Sequence, residues 1–321
     1  MNERALDLLA CPSCRGELRR DVSVQVDGEV RAGTLNCAGC GATYCIENGA
    51  ARLMPADAPA ERWDEWLEKQ ELGLQEYQEE QALGANRTID RVATEFGVFS
   101  GLNGTILDIG CGISATPPYA VRSADDLYVG VDPLYRPVER TFEFVEGVGE
   151  RLPFQAAVFD CAVSATSLDH VAAPKLVLGE IRRVLKPSGR LALWIGVLDE
   201  SYFERMYALP SLRDHEARQA LVERVRGGEF GELAALAWRH LVANRLRKAF
   251  LRWQRFMRRP LPVDEVFAER GRYHFHFYTE SEVYELLEGS GFRVIRQLRL
   301  EDDSRGNSLF VLASPAEGGA A

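Results

Sequence analysis

Gly104-Thr-Ile-Leu-Asp-Ile-Gly-Cys-Gly-Ile-Ser114 is the stretch on which the reading of the fold turns. Thr105 to Ile109 is a short apolar run, as expected of a strand buried on both faces. Gly110 and Gly112 follow at once. Glycine there permits a tight turn into a helix and lets a ligand approach bare backbone. Working outward, Leu127-Tyr-Val-Gly-Val-Asp132 reads as a second strand ending in an acid, 24 positions after Asp108. That is near the ~20-residue spacing at which a carboxylate meets ribose hydroxyls. Next come Gly149-Glu-Arg-Leu-Pro-Phe154 and Phe159-Asp-Cys-Ala-Val-Ser164. Glu180 to Trp194 then reads as a helix, a turn and a strand. Strands alternating with helices predict an α/β fold, a parallel doubly wound sheet with its ligand at the carboxyl ends. Taken alone G-x-G is weak, and Ser114 stands where the dinucleotide fingerprint has its third glycine.

Together, in this order, these pieces resemble the class I S-adenosylmethionine-dependent methyltransferases, which have a Rossmann-like sheet. Among them the set is most similar to the small-molecule subgroup that includes ubiquinone and menaquinone C-methyltransferases. The resemblance runs from Leu107 to Trp194. It implies that Asp108, Gly110 and Gly112 form the loop around the methionine part of the cofactor. It implies that Asp132 accepts from both ribose hydroxyls, a geometry a carboxylate suits. Glu150 would sit by the adenine amino group, and Ser164 and Ala165 would flank the sulfonium. Thr116-Pro-Pro-Tyr119 is similar to a signature of amino-methylating enzymes, but that signature belongs after the fourth strand, not the first. The two prolines are expected to shape the start of the first helix.

The N-terminal segment, 1–55, holds five of the seven cysteines. Cys11-Pro-Ser-Cys14 and Cys37-Ala-Gly-Cys40 are two C-x-x-C pairs separated by 22 residues. Each tight turn presents two thiolates to one point, which suits a tetrahedral zinc ion. Val22, Val24 and Val26 alternate with polar residues before Asp27-Gly28, which predicts a hairpin that brings the knuckles together. Four thiolates leave no open coordination position, so the zinc is expected to be structural. Cys45 lacks a C-x-x-C partner and is left out of the set. Leu8 to Cys14, Leu35 to Tyr44, Ile46 to Gly49 and Leu53 to Pro55 resemble the short zinc-ribbon subunit that activates several tRNA, rRNA and release-factor methyltransferases.

Residues 56–100 read as an acidic helical linker, with Trp63, Trp66, Leu67, Leu74 and Tyr77 on its apolar face. Nine acids and two bases fall between Asp57 and Ala82. The methyltransferase-like domain is expected at 101–197 and again at 273–313. Thr279 to Phe292 reads as a helix and its stop, and Arg293 to Leu300 as a strand. The intervening 198–272 is too long for a structureless loop and is expected to be a helical cap insertion on the substrate side. Within it, Trp238 to Pro260 holds eight bases and no acid. Leu246, Phe250, Trp253 and Met257 form a helical stripe there. The basic helix 239–259 has four readings: packing on the core with its arginines against the acidic linker, contact with a membrane or phosphate-bearing lipid-linked substrate, binding to RNA, or binding to a partner protein.

Asp169 and His170 are the first acid/base candidates, because histidine titrates near neutral pH. His274 and His276 come second; their alternation suggests an extended segment with both rings on one side. Methyl transfer needs in-line alignment above all, so a reaction without a general base is an alternative. The net charge of −10 argues against extended non-specific nucleic-acid binding. No export signal or apolar span is evident, so the expected location is the cytoplasm, with a peripheral membrane contact as a variant. The expected activity is methyl transfer to a small-molecule or lipid-linked metabolite at oxygen, nitrogen or carbon. Methylation of rRNA, tRNA or a translation factor is the alternative, and a non-catalytic module that keeps the cofactor fold is a third.

Overall fold

The computed structural model describes residues 1–82, 91–120, 123, 125–197, 274–302 and 306–316. They fall in one compact unit, Met1–Val197 with Arg272–Ala321. A second unit, Leu198–Gly271, lies outside the described residues. With it lie the expected cap and its basic stretch 239–259.

A short helix, α1 (Glu3–Leu6), opens the chain, and the Asn2 side chain accepts the Ala5 N–H at 2.8 Å as its cap. Four strands follow: β1 (Leu18–Val26), β2 (Glu29–Cys37), β3 (Thr43–Glu47) and β4 (Ala50–Arg52). The β1–β2 hairpin turns on Asp27 (φ 51°) and Gly28 (φ 81°). Two successive left-handed residues give the turn whose twist matches paired strands. Asn48 (φ 51°) and Gly49 (φ 78°) repeat the device between β3 and β4.

The second half of the sheet is built from β5 (Thr105–Ile109), β6 (Leu127–Asp132), β7 (Glu143–Glu146), β8 (Phe159–Ala165) and β9 (Leu185–Val197). These run parallel in the order β7-β6-β5-β8-β9. Every residue of β6 is buried, as both faces of a central parallel strand must be. Then β10 (Phe292–Asp302) and β11 (Gly306–Pro315) form an antiparallel hairpin, and β11 slots between β9 and β10. The sheet is therefore mixed at this end rather than wholly parallel. A hairpin needs no crossover helix, so a returning strand can enter between its neighbours.

Among the described residues four longer helices accompany the sheet: α2 (Trp63–Ala82), α3 (Arg91–Ser100), α4 (Pro174–Val184) and α5 (Glu280–Gly289). Successive residues of β5 face opposite sides. Leu107 and Ile109 join Val177, Ile181, Val283 and Leu287 of α4 and α5. Ile106 faces the other way, toward Phe96 and Phe99 of α3, Trp194 and Phe310. A capping box between Thr279 and Glu282 starts α5. On α2, Trp66 is buried and stacks on Trp63 at 4.2 Å, but Leu67 faces solvent, unlike the expected stripe.

No helix separates β5 from β6 among the described residues; 110–120 form successive turns. This corrects the expectation of a first helix shaped by Pro117 and Pro118. Two prolines in a row remove two N–H donors, and a residue before proline is disfavoured in the α conformation. Tyr119 is instead drawn inward, its hydroxyl bonding both oxygens of Asp108.

The cysteine-bearing segment does not stand apart. β4 pairs in parallel with β7, Ala51 opposite Val145 and Arg52 opposite Glu146. The eleven strands of the described residues thus form one sheet, in the order β1-β2-β3-β4-β7-β6-β5-β8-β9-β11-β10. Leu9, Val30, Leu35, Ile46 and Leu53 pack in the same cluster as Leu107, Val129 and Phe154. Arg52 fastens the seam: it pairs with Glu146, bonds Glu47 at 2.8 Å and lies 4.1 Å over the Tyr135 ring. A segment this short has too little apolar surface for a core of its own, and sharing one answers that need.

Candidate active site

The carboxyl ends of β5, β6 and β8 open on a cleft. Ile109, Gly110, Gly112, Asp132, Pro133, Leu134, Thr166, Ser167, His170 and Val171 line one side, and Lys69, Gln70 and Gly73 of α2 the other. The enclosed space under α2 is about 80 Å³. That is small beside the roughly 300–1,000 Å³ of common ligand pockets.

Gly110 has φ 74° and Gly112 φ 68°. A Cβ on Gly110 would lie 2.3 Å from Ser167 Cβ, whereas one on Gly112 would meet nothing within 4 Å. The first glycine is thus needed for packing and the second keeps the cleft open. Asp132, only 6% exposed, accepts the Gly112 N–H at 2.8 Å and the Leu134 N–H at 2.8 Å, one on each carboxylate oxygen. Each oxygen keeps a lone pair for a further donor. Burial pushes Asp132 up to about 6, against the pull of those two N–H groups.

Asp108 lies behind the glycine loop rather than in the cleft wall. It is fully buried and accepts from Tyr119 (3.0 and 2.9 Å) and Tyr128 (2.7 Å). Burial pushes it up to about 7, the tyrosine hydroxyls opposing and the Asp132 charge adding. Both carboxyls therefore sit above the ordinary 3.8. Between about pH 4 and 7 the ligand-free folded state holds protons that the unfolded chain has released. Stability accordingly falls as pH rises through that window, by on the order of a few kcal/mol. Chemical denaturation across pH 4–8 is expected to show this slope, and Asp108→Asn is expected to flatten it. An unchanged slope in the variant would refute the assignment.

Glu150 does not line the cleft. Its Oε1 accepts the N–H groups of Ala172 (2.7 Å) and Ala173 (3.1 Å), which caps the entry to α4. Ser164 and Ala165 end β8, both buried. Ser164 Oγ lies 2.8 Å from Ser167 Oγ, which donates to the Ile109 carbonyl at 2.6 Å. Thr166 and Ser167 are wall residues that the sequence reading missed. Their only local signal was their place just after an apolar strand.

Asp169, His170, His274 and His276 come together from two distant segments. Asp169 Oδ2 stands 3.2 Å from His274 Nε2 and 3.7 Å from His170 Nε2, and the two imidazole rings are 4.4 Å apart. Burial pushes the Asp169 carboxyl up, but the His170 charge, the His274 hydrogen bond and the His274 charge outweigh it and hold it at about 2. His276 is half-buried, and burial pulls its pKa down. The Phe275 and His276 N–H groups both bond the Asp169 carbonyl, at 2.8 and 2.9 Å. Trp66 Nε1 (2.8 Å) and Gln70 Nε2 (3.2 Å) donate to the His170 carbonyl, and Lys69 Nζ to the His274 carbonyl at 3.2 Å. Contacts from α2 thus hold the histidine segments.

Cys11, Cys14, Cys37 and Cys40 place their sulfurs within 4.8 Å of one another. Cys14 and Cys37 sulfurs are 3.3 Å apart, and those of Cys11 and Cys40 are 3.7 Å apart. A Cβ on Gly16 would lie 3.1 Å from both Cys14 and Cys37 sulfurs, so bare backbone closes the cradle. The N–H groups of Cys40 and Gly39 point at Cys37 Sγ and pull that thiol down to about 6, toward the thiolate a metal needs. The set fits one tetrahedral zinc ion. Cys45, exposed on β3, is not in it.

Residues 107–193 match the family described as "Methyltransferase domain", and residues 2–49 match the family described as "Trm112p-like protein". The chain accordingly carries a methyltransferase domain and, before it, a Trm112p-like segment whose four clustered cysteines fit a zinc ribbon. Solved structures with a similar fold include 1,6-didemethyltoxoflavin-N1-methyltransferase of Burkholderia thailandensis, with bound 1,6-didemethyltoxoflavin and S-adenosylhomocysteine. It is 14% identical, covers 94% of this chain and 100% of its own, and has a TM-score of 0.45. A complex of the Haloferax volcanii Trm112 methyltransferase activator is 14% identical over 71% of this chain and 90% of its own, with a TM-score of 0.42. An SAM-dependent methyltransferase of Thermotoga maritima is 17% identical over 78% and 99%, with a TM-score of 0.45. No curated protein matches the chain. Among the described residues no helix is long and apolar enough to cross a membrane.

Proposed function

We propose that the chain transfers a methyl group to a small-molecule or lipid-linked acceptor, at oxygen, nitrogen or carbon. The observation that carries this reading is the roof over the cleft. Lys69, Gln70 and Gly73 of α2 lie across the glycine loop and His170, so an acceptor has to fit beneath a helix. The likeness of the motif set to quinone C-methyltransferases points the same way. When bound, S-adenosylmethionine supplies an electrophilic methyl group on a sulfonium.

The chain's own residues bind and align. Asp132 offers one free lone pair on each oxygen to the ribose hydroxyls. Gly110 and Gly112 let the amino-acid end lie against backbone, while Asp108 and its two tyrosines hold that loop from behind. Ser164, Ala165 and Thr166 border the reacting centre. Glu150 fixes the start of α4 and reaches an adenine only through its remaining oxygen. Asp169 orients His170 and His274, and His170, in the cleft wall, is placed to take an acceptor proton.

The test is a transfer assay with methyl-labelled cofactor and fractionated extract from cells lacking the gene. Label is expected in the lipid or small-molecule pool. Asp132→Ala is expected to lose that signal and to weaken S-adenosylhomocysteine binding by on the order of 1–3 kcal/mol in calorimetry. The Trm112p-like match of residues 2–49 favours a second reading, methylation of rRNA, tRNA or a translation factor. Label confined to RNA or protein would establish that reading and overturn the first.

A further inference from the structure

We infer that Asp169, His170 and His274 form a second metal site, for a divalent transition ion such as Zn²⁺ or Fe²⁺, in the wall of the cleft. One ligand atom from each residue lies within 4.8 Å of the other two. Two of the separations, 3.2 and 3.7 Å from Asp169 Oδ2 to the histidine Nε2 atoms, are those of neighbouring ligands around one ion at about 2.0–2.2 Å from each. Both imidazoles thus converge on a single carboxylate oxygen.

A second observation is independent of that spacing. Asp169 Oδ1 is buried and has no hydrogen-bond partner among the described residues. A buried carboxylate oxygen without a donor is costly, and a cation beside the carboxylate relieves that cost. The ligand-bearing backbone is also fixed without an ion. Phe275 and His276 clamp the Asp169 carbonyl, Trp66 holds that of His170, and Lys69 that of His274. Locked supporting contacts of this kind preorganise a first shell.

The donor chemistry separates this site from the cysteine cluster. Imidazole and carboxylate suit zinc, iron, cobalt or nickel, whereas four thiolates close a structural site. Three protein ligands leave coordination positions open, the pattern of catalytic rather than structural centres. His170 is also a cleft residue, so an ion held there stands beside the acceptor. The site itself does not depend on the acceptor proposed above; its use in the reaction rests on that reading. An acceptor hydroxyl or amine on an open position would lose its proton to water more readily. The heteroatom would then take the methyl as the sulfonium carbon–sulfur bond breaks and the new carbon–oxygen or carbon–nitrogen bond forms. In that use the histidines are ligands, and the ion replaces them as the activator.

The experiment is a Co²⁺ titration of the full-length zinc-loaded protein, without cofactor or acceptor. One equivalent is expected to bind saturably, with d–d bands and no thiolate-to-cobalt charge transfer. Asp169→Asn and His274→Ala are each expected to weaken Co²⁺ by more than about 100-fold, beyond the range for outer-shell partners, with cysteine-bound zinc and circular dichroism unchanged. The asparagine variant keeps the side-chain shape and serves if the alanine variant does not fold. No saturable binding, a charge-transfer band, or equal affinity in the variants would each overturn the site. Cobalt binding is read apart from methyl transfer, so failure of one leaves the other standing.

Discussion

Gly110→Ala is expected to destabilise the protein by roughly 2–5 kcal/mol and to abolish cofactor binding. Two effects add. The residue sits at φ 74°, where a side chain costs about 1–2 kcal/mol. The new methyl group would also lie 2.3 Å from Ser167 Cβ, and overpacking of this kind costs about 1–3 kcal/mol. Ser167 cannot easily yield, because its hydroxyl is tied to the Ile109 carbonyl at 2.6 Å and to Ser164 at 2.8 Å. Gly112→Ala is the control. It has a similar φ of 68° but open space around its Cβ, so it is expected to lose only about 1–2 kcal/mol of stability while placing a methyl group in the cleft. Urea denaturation of both variants, with calorimetry of S-adenosylhomocysteine, distinguishes the two. A Gly110→Ala protein as stable as wild type would show that the loop packs differently.

Cys37→Ser is expected to release the ribbon zinc and to lower the stability of the whole described unit, by about 3 kcal/mol or more. Apparent zinc-binding energies in small cysteine sites are about 10–16 kcal/mol, and most of that is folding energy. Here the effect cannot stay local. Leu9, Val30, Leu35, Ile46 and Leu53 lose their scaffold, and they pack in one cluster with Leu107, Val129 and Phe154. Metal analysis and thermal melting check this together. A metal-free variant that melts like wild type would mean that shared packing alone holds the ribbon.

Much of the architecture was legible locally. Thr105–Ile109 and Leu127–Asp132 announce themselves as buried strands, Asp27-Gly28 as a hairpin, and the paired C-x-x-C knuckles as a ligand set. These signals act over a few residues, where sterics and burial leave one answer. What was illegible depends on partners far apart in sequence. Ala50–Arg52 is too short to read as a strand, and its pairing with Val145 and Glu146 has no local mark. The entry of β11 between β9 and β10 is likewise a tertiary choice. The site divides the same way. Gly110, Gly112 and Asp132 line the cleft. Asp108 accepts from two buried tyrosines and Glu150 from the backbone at the start of α4, contacts that have no local mark in the sequence. The sequence names both histidine segments as candidates, but only the fold brings His274 within 3.2 Å of Asp169.

The seam between β4 and β7 has a consequence for how this assembly can fail. Where an activator and its enzyme are separate chains, dilution pulls them apart. Here the two halves share one covalent chain, so docking is intramolecular and the effective concentration of one for the other is fixed by the tether. Lowering the amount of protein leaves the seam intact. If the cysteine cluster holds zinc as the Cys37→Ser experiment tests, loss of metal is the perturbation that would reach the seam, and dilution would not.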